Sequence, residues 1–215
     1  MAKSPNVSSS VFGWDFQSNA AIVLMIKNIE EASKIRIEGA KQDIEITLND
    51  GKIIYSQAKS VNDPEDYTNV LSKLQEALKT LTDVAKEPDV DSLIYITNSP
   101  NPFSNIRTMY AFSSNITLLK YAQLSNVCKN KIESICKKGK YDLNKNLLSI
   151  CVLQFHGDGE NRYKVVKDII NEFLDKIGVG EKGYGQKMLE IWQRDFSLNA
   201  SQHKLNTTIT KKRMI

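Results

Sequence analysis

The stretch that decides the fold is DIEITLNDGKIIYSQAK, running from Asp43 to Lys59. Ile44, Ile46 and Leu48 alternate with Asp43, Glu45 and Thr47. A period of two is the mark of a strand with one apolar face. Asn49-Asp50-Gly51 is a strong turn signal, and Lys52–Lys59 reads as the returning strand. Loop length then sets the register. A two-residue loop at Asp50-Gly51 opposes Asp43 to Ala58 and turns Gln57 to the other face. A three-residue loop places Gly51 at the left-handed position such a loop needs. It also opposes Leu48 to Lys52, Ile46 to Ile54 and Asp43 to Gln57. The apolar match of Ile46 with Ile54 favours the three-residue loop.

Outward from this hairpin, Lys34–Glu38 alternates as a further strand, and residues 15–29 carry apolar side chains at helical spacing. Downstream, Asp63 has the character of an N-cap, Pro64 of a first helical residue, and Glu65 and Asp66 of dipole partners. Tyr67, Val70, Leu71, Leu74, Leu78, Leu81 and Val84 form an apolar stripe that Pro88 closes. Ser92–Thr97 is an apolar run bounded by Asn98-Ser99-Pro100, which predicts a buried strand. The remaining pattern predicts a helix over 116–138, a strand over 148–155 and helices over 160–177 and 184–196. The fold class is therefore α/β, with an α-β-β-β-α-β core and a mixed sheet flanked by helices, extended by further C-terminal helices.

The chain has 215 residues, of which 41% are hydrophobic and 25% charged. At this length a folded chain buries about 70% of its extended surface, enough for a core without staples. Cys128, Cys136 and Cys151 form no CxxC pair and leave an odd count, which excludes a disulfide scaffold and points to a reducing, cytoplasmic setting. Residues 1–12 lack the apolar core of a signal peptide. The apolar stretch Ala20–Ile26 is far short of the roughly 20 residues a membrane span needs, so no membrane is expected. The sequons at Asn6, Asn115 and Asn206 are read as accidental. The net charge of +4 is unevenly spread. Residues 1–119 are net −4, residues 120–145 net +5, residues 146–203 net −1 and residues 204–215 net +4.

Chemistry converges on the hairpin. Gln57 and Lys59 are two apart on one strand and share a face. Asp43 begins the strand opposite, and Glu38 ends the strand before it. Two carboxylates and an amide oxygen are hard ligands that suit Mg²⁺ or Mn²⁺. Such a metal polarises a phosphodiester and lowers the pKa of a bound water. Lys59 can hold the attacking water or stabilise charge on the scissile phosphate. The bland alternative is a solvated hairpin face.

Asp43, thirteen intervening residues and then Gln57-Ala58-Lys59 resemble the PD-(D/E)xK nuclease superfamily, in its Mrr-type QxK variant. The run Gly13-Trp14-Asp15-Phe16-Gln17, with Ile37-Glu38-Gly39, Asp43-Ile44 and Gln57-Ala58-Lys59-Ser60, is similar to one branch. That branch is the N-terminal double-stranded DNA endonuclease domain of bacterial antiphage-defence effectors of the CD-NTase-associated type. The resemblance implies a restriction-endonuclease-like fold. Asp43, Gln57 and Glu38 are then metal ligands, Lys59 is the catalytic lysine and Gln17 belongs to the same site. It also implies double-stranded DNA as substrate and a fused or assembled sensor, and because cutting both strands requires two active sites, a homo-oligomer is expected when active. Motifs carry it over residues 12–100, and element order alone carries it to about 178. The sequence departs from the pattern at two points: Gln42 stands where the proline would be, and Gln57 is neutral where many members have an acid. Glu38 or Glu45 would supply the missing charge. A catalytically inactive module that binds DNA or a partner is the alternative function.

In domain terms, residues 1–11 read as a flexible arm and 12–200 as a nuclease domain with its core at 12–100 and an extension over 101–200. Residues 201–215 read as a tail linking to a further domain or partner. Lys129, Lys131, Lys137, Lys138 and Lys140 have the composition of a phosphate-contacting surface, or of a solvated helix end. Gly178-Val-Gly180-Glu-Lys-Gly183 matches GxGxxG but follows a helix, so Gly178 reads as a C-cap. His156-Gly157-Asp158-Gly159 reads as a turn, and the three cysteines as core thiols.

Overall fold

The hairpin sits inside a seven-stranded mixed sheet. A computed structural model describes residues 7–155, 159–201 and 208–210. The strands are β1 (Ala32–Ile37), β2 (Ile44–Leu48), β3 (Ile53–Ala58), β4 (Val90–Thr97), β5 (Ile116–Lys120), β6 (Leu148–Leu153) and β7 (Thr208–Thr210). They lie in the order β5-β6-β4-β3-β2-β1-β7. The neighbours β3, β4 and β6 run parallel, and all other neighbouring pairs are antiparallel. The helices are α1 (Val7–Lys27), α2 (Val70–Val84), α3 (Ile106–Met109), α4 (Asn126–Gly139), α5 (Gly159–Lys176) and α6 (Tyr184–Ser201). The fold is α/β, and its first six elements come in the expected order α-β-β-β-α-β.

Two cores form because the central strands are apolar on both sides. Ile54, Ile94 and Ile96 face one core, shared with α1, α5 and α6 through Phe16, Leu24, Ile170 and Trp192. Tyr55, Leu93 and Tyr95 face the other, shared with α2 and α4 through Leu74, Leu78 and Ile132. The β1–β2 end is covered on one side only. There Ile35, Ile37, Ile44 and Ile46 point inward, while Arg36, Glu45 and Thr47 are only half-buried. Helix α1 is buried all round from Ala20 to Met25 because sheet and helices enclose it on opposite sides. Among the described residues no helix is long and apolar enough to cross a membrane. Cys128, Cys136 and Cys151 are free and buried, and burial pushes the Cys151 thiol up to about 12.

Four expectations need correction. Helix α1 starts at Val7, inside the expected 1–11 arm, because serines are tolerated in a helix and no proline interrupts this segment. Helix α2 starts at Val70 rather than after Asp63. Asp63 and Asp66 instead accept hydrogen bonds from the backbone N–H groups of Glu65 and Thr68, both at 2.9 Å, and so form local turns. Residues 116–138 are not one helix. Ile116–Lys120 is a strand paired with β6, and α4 follows from a Ser125 cap whose Oγ accepts the Cys128 N–H. Apolar residues at 116, 118 and 119 suit either period, and only the β6 ladder decides between them. Within the expected 201–215 tail, Ser201 ends α6 and β7 pairs with β1. The rest of that tail, and residues 156–158 of the expected turn, lie outside the described residues. Gly178 does end α5 at a φ of +75°.

Candidate functional site

The site is built by the turn. Leu48 N–H donates to the Lys52 carbonyl at 2.8 Å, and Gly51 N–H returns to the Leu48 carbonyl at 3.1 Å. Gly51 has a φ of +89°, where an L side chain is strained. Ile46 pairs with Ile54 and Ile44 with Ser56, so the register continues to Asp43 opposite Gln57. The three-residue loop is therefore the one present. A one-residue slip would turn Gln57 to the opposite face.

Asp43 lies just before β2, where its side chain meets the end of β3. Its Oδ2 accepts a hydrogen bond from Gln57 Nε2 and another from the Ala58 backbone N–H at 2.9 Å. Neither bond uses Oδ1. Gln57 is buried. Burial pushes the Asp43 carboxyl above its usual 3.8, and the Glu38 charge adds to this. The Ala58 N–H, the Lys59 charge and Gln57 pull the other way without prevailing. Asp43 is thus a half-buried carboxylate held mostly by neutral donors.

Gln17 reaches the same residue differently. Its Nε2 donates to the Asp43 backbone carbonyl at 2.9 Å, and the Glu38 N–H donates to that same oxygen at 2.8 Å. Gln17 therefore positions Asp43 from α1. Glu38 is exposed and takes a φ of +50° at the end of β1. Glu45 is otherwise engaged. Its Oε1 accepts the Lys41 N–H at 2.9 Å and the Gln42 N–H at 3.2 Å, and caps the loop between β1 and β2. Gln42, at the position of the missing proline, donates from Nε2 to the Thr80 carbonyl of α2 at 2.9 Å. Of the two acids that could complete the site, Glu38 is the one whose charge Asp43 feels.

Lys59 lies beyond the end of β3, with its N–H on the Ile96 carbonyl at 2.9 Å. Buried Asn98 holds the next turn of chain with both ends of its amide. Val61 N–H donates to Asn98 Oδ1 at 2.7 Å, and Asn98 Nδ2 donates to the Val61 carbonyl at 2.8 Å. A cleft of about 470 Å³ opens beside Lys59, walled by Gly13, Asn62, Asp66, Asn69 and Lys73. It lies outside the carboxyl ends of parallel strands, where ligands of open α/β sheets commonly bind.

Among the described residues no three His, Cys, Asp or Glu side chains gather as a metal-binding group. The Asp43 set, by contrast, offers two acids and an amide. Mg²⁺ is held by one or two carboxylates together with waters and substrate phosphates, so this sparse donor set suits it.

The five expected DNA-contacting lysines all lie on α4 or at its C-terminal cap. Lys129 donates from Nζ to the Ala122 carbonyl at 2.9 Å and lies over the Tyr121 ring. Lys131 and Lys138 line a groove between α2 and α4 with Lys79. Lys137 is exposed, and Lys140 caps α4 at a φ of +56°. Sequence reasoning missed Asn98 and Lys73, and also the partners of Asp15. Asn98 stands in a recognisable Asn-Ser-Pro turn, which was the available signal. Asp15 accepts from Arg162 Nε and Tyr163 Oη, both at 2.9 Å, across a sequence separation that no local pattern reveals.

No protein-family model and no curated protein sequence matches the chain. Solved structures do. An Acinetobacter baumannii Cap4 SAVED/CARF-domain containing receptor with the cyclic trinucleotide 2'3'3'-cAAA matches all of this chain with 14% identity and a TM-score of 0.53. The receptor with 3'3'3'-cAAA matches 99% of the chain with 12% identity and a TM-score of 0.54. A Moraxella osloensis Cap4 SAVED/CARF-domain containing receptor matches 86% with 12% identity and a TM-score of 0.50. This chain spans 44%, 44% and 43% of those proteins respectively. At such identities the likeness is one of fold, and the chain shares its fold with less than half of each of these receptors.

Proposed function

We propose that the chain is the metal-dependent DNA endonuclease module of an antiphage-defence effector. The observation that supports this reading best is the β2–β3 register. It sets the Asp43 carboxylate against Gln57, with Lys59 next along the same face. Asp43, Glu38 and the Gln57 amide oxygen would hold Mg²⁺ or Mn²⁺. Burial raises the Asp43 carboxyl, the Glu38 charge adds to it, and a bound divalent cation would offset both. When bound, the metal supplies Lewis-acid polarisation of a phosphodiester and a more acidic water. Lys59 stabilises the charge that builds on the scissile phosphate or holds the attacking water. Gln17 and Asn98 keep Asp43 and the Lys59–Val61 segment in place. The substrate is double-stranded DNA in the cytoplasm. Cutting both strands calls for two sites, so the active form is a homo-oligomer. A sensor, fused or assembled, would be the partner that controls it.

Manganese titration followed by calorimetry, together with cleavage of supercoiled DNA, tests this. The wild-type chain is expected to bind Mn²⁺ and to nick DNA only when metal is present. Asp43→Ala is expected to lose both. Unchanged Mn²⁺ binding in Asp43→Ala would remove the site.

A second reading is a nuclease-fold module that binds DNA or a partner without cutting. The observation favouring it is that two N–H donors already occupy Asp43 Oδ2. DNA binding with no Mn²⁺ site would establish it. The ligand named for two of the structural neighbours adds a control. A cyclic trinucleotide is expected not to bind this chain alone, and tight binding would assign it a sensing role instead.

A further inference from the structure

Gly13 stands in the interior of α1, where glycine is less favourable than alanine because it gives up more backbone freedom. A glycine kept in a helix usually answers to something close by. Every other glycine whose surroundings are described has such a reason within the chain. Gly51, Gly178 and Gly183 lie at positive φ. At Gly39, Gly139, Gly180 and Gly185 a Cβ would stand within 2.3 Å of atoms already present. At Gly13 neither holds, since a Cβ would have nothing within 4 Å among the described residues.

Its position supplies the missing reason. Gly13 is one turn before Gln17, so the two share a face of α1. Gln17 reaches the Asp43 backbone, and Gly13 lines the cleft beside Ala58 and Lys59. Its neighbours in sequence are bulky and turn elsewhere: Arg162 stacks over the Phe12 ring at 4.7 Å, and Trp14 packs against the core. Lys73 and Asn69 at the start of α2 line the same cleft. Asp63 and Asp66 also line it, with a carboxylate oxygen of each committed to the turns that precede α2.

We propose that Gly13 is a specificity-determining gap, through which the sugar-phosphate backbone of a DNA strand lies directly against the backbone of α1. Lys59 and Lys73 flank that strand and face its phosphates. A side chain at position 13 would stand where the strand must pass. This inference rests on the nuclease reading above.

The test is the series Gly13→Ala and Gly13→Leu in the full chain, read by thermal melting, Mn²⁺ titration and DNA cleavage. Gly13→Ala is expected to raise Tm by about 2–4 °C, because it removes the helix penalty without crowding anything. Gly13→Leu is expected to keep the wild-type Tm and the Mn²⁺ site. Its KM for DNA is expected to rise at least tenfold, with kcat at saturating DNA little changed. Wild-type cleavage by Gly13→Leu would overturn the proposal. So would a Tm several degrees lower in both variants, since the glycine would then serve the chain's own packing. A wild-type chain that neither binds nor cuts DNA would instead remove the nuclease reading, and this inference with it.

Discussion

Two aspartates sit at the edge of the same core and are held in opposite ways. Asp15 receives the Arg162 guanidinium, the Tyr163 hydroxyl and the Asn19 amide, the last at 3.2 Å. Asp43 receives an amide and a backbone N–H, with Lys59 near enough to act only through its charge. The first carboxylate is matched by a cation in the fold and joins α1 to α5. The second is desolvated without a matching cation in contact, and its proton affinity rises. A buried charge that the chain compensates is structural. One that it leaves short of compensation has room for a charge from outside.

The largest effect expected from this contrast is at the compensated site. Asp15→Ala leaves Arg162 buried and unpaired, with its side chain only 10% exposed. Denaturant unfolding should show a loss of about 3–5 kcal/mol. The double variant Asp15→Ala with Arg162→Met should recover much of it, and failure to recover would break the comparison. At the under-compensated site the expected pattern is reversed. Asp43→Ala or Lys59→Ala should lower cleavage by at least about a hundredfold with Tm nearly unchanged. A collapse of Tm in either would make Asp43 as structural as Asp15.

The pH dependence of Asp43 sharpens the difference. A carboxyl raised above 3.8 in the fold favours the protonated state there. Its ionised form therefore costs stability once pH exceeds the folded value, and the cost disappears as pH falls below 3.8. In metal-free buffer at pH 7, Asp43→Asn should melt above the wild type, because Asn still accepts both N–H groups. The gap should close on acidification. Saturating Mn²⁺ at pH 7 should reverse it, raising only the wild type by about 2.7 kcal/mol at a hundredfold excess over Kd. The smallest effect is at Tyr163, whose hydroxyl is one of three donors to Asp15. Tyr163→Phe should cost about 0.5–1.5 kcal/mol and leave DNA cleavage alone.

Much of the site was legible in the sequence because it is short-range. Asn49-Asp50-Gly51 dictates a loop, the loop dictates a register, and the register sets Asp43 across from Gln57. The meeting of Gln17 with Asp43 was legible only as a resemblance, and its detail differs. The amide holds the Asp43 backbone, not its carboxylate. The choice between Glu38 and Glu45 was not legible, because it turns on which acid the loop between β1 and β2 consumes for its own N–H groups.

What the sequence determined by itself was the alternation of the strands, the hairpin register and the end of α5 at Gly178, all set by residues within a few positions of one another. Tertiary structure alone decided that Ile116–Lys120 is a strand, since its partner ladder lies on β6. It alone decided where α2 begins, since Asp63 and Asp66 had local turns available as well as a helix. It also decided which aspartate is neutralised. The partner of Asp15 is 147 positions away, and charge compensation across that distance exists only once α1 and α5 have packed.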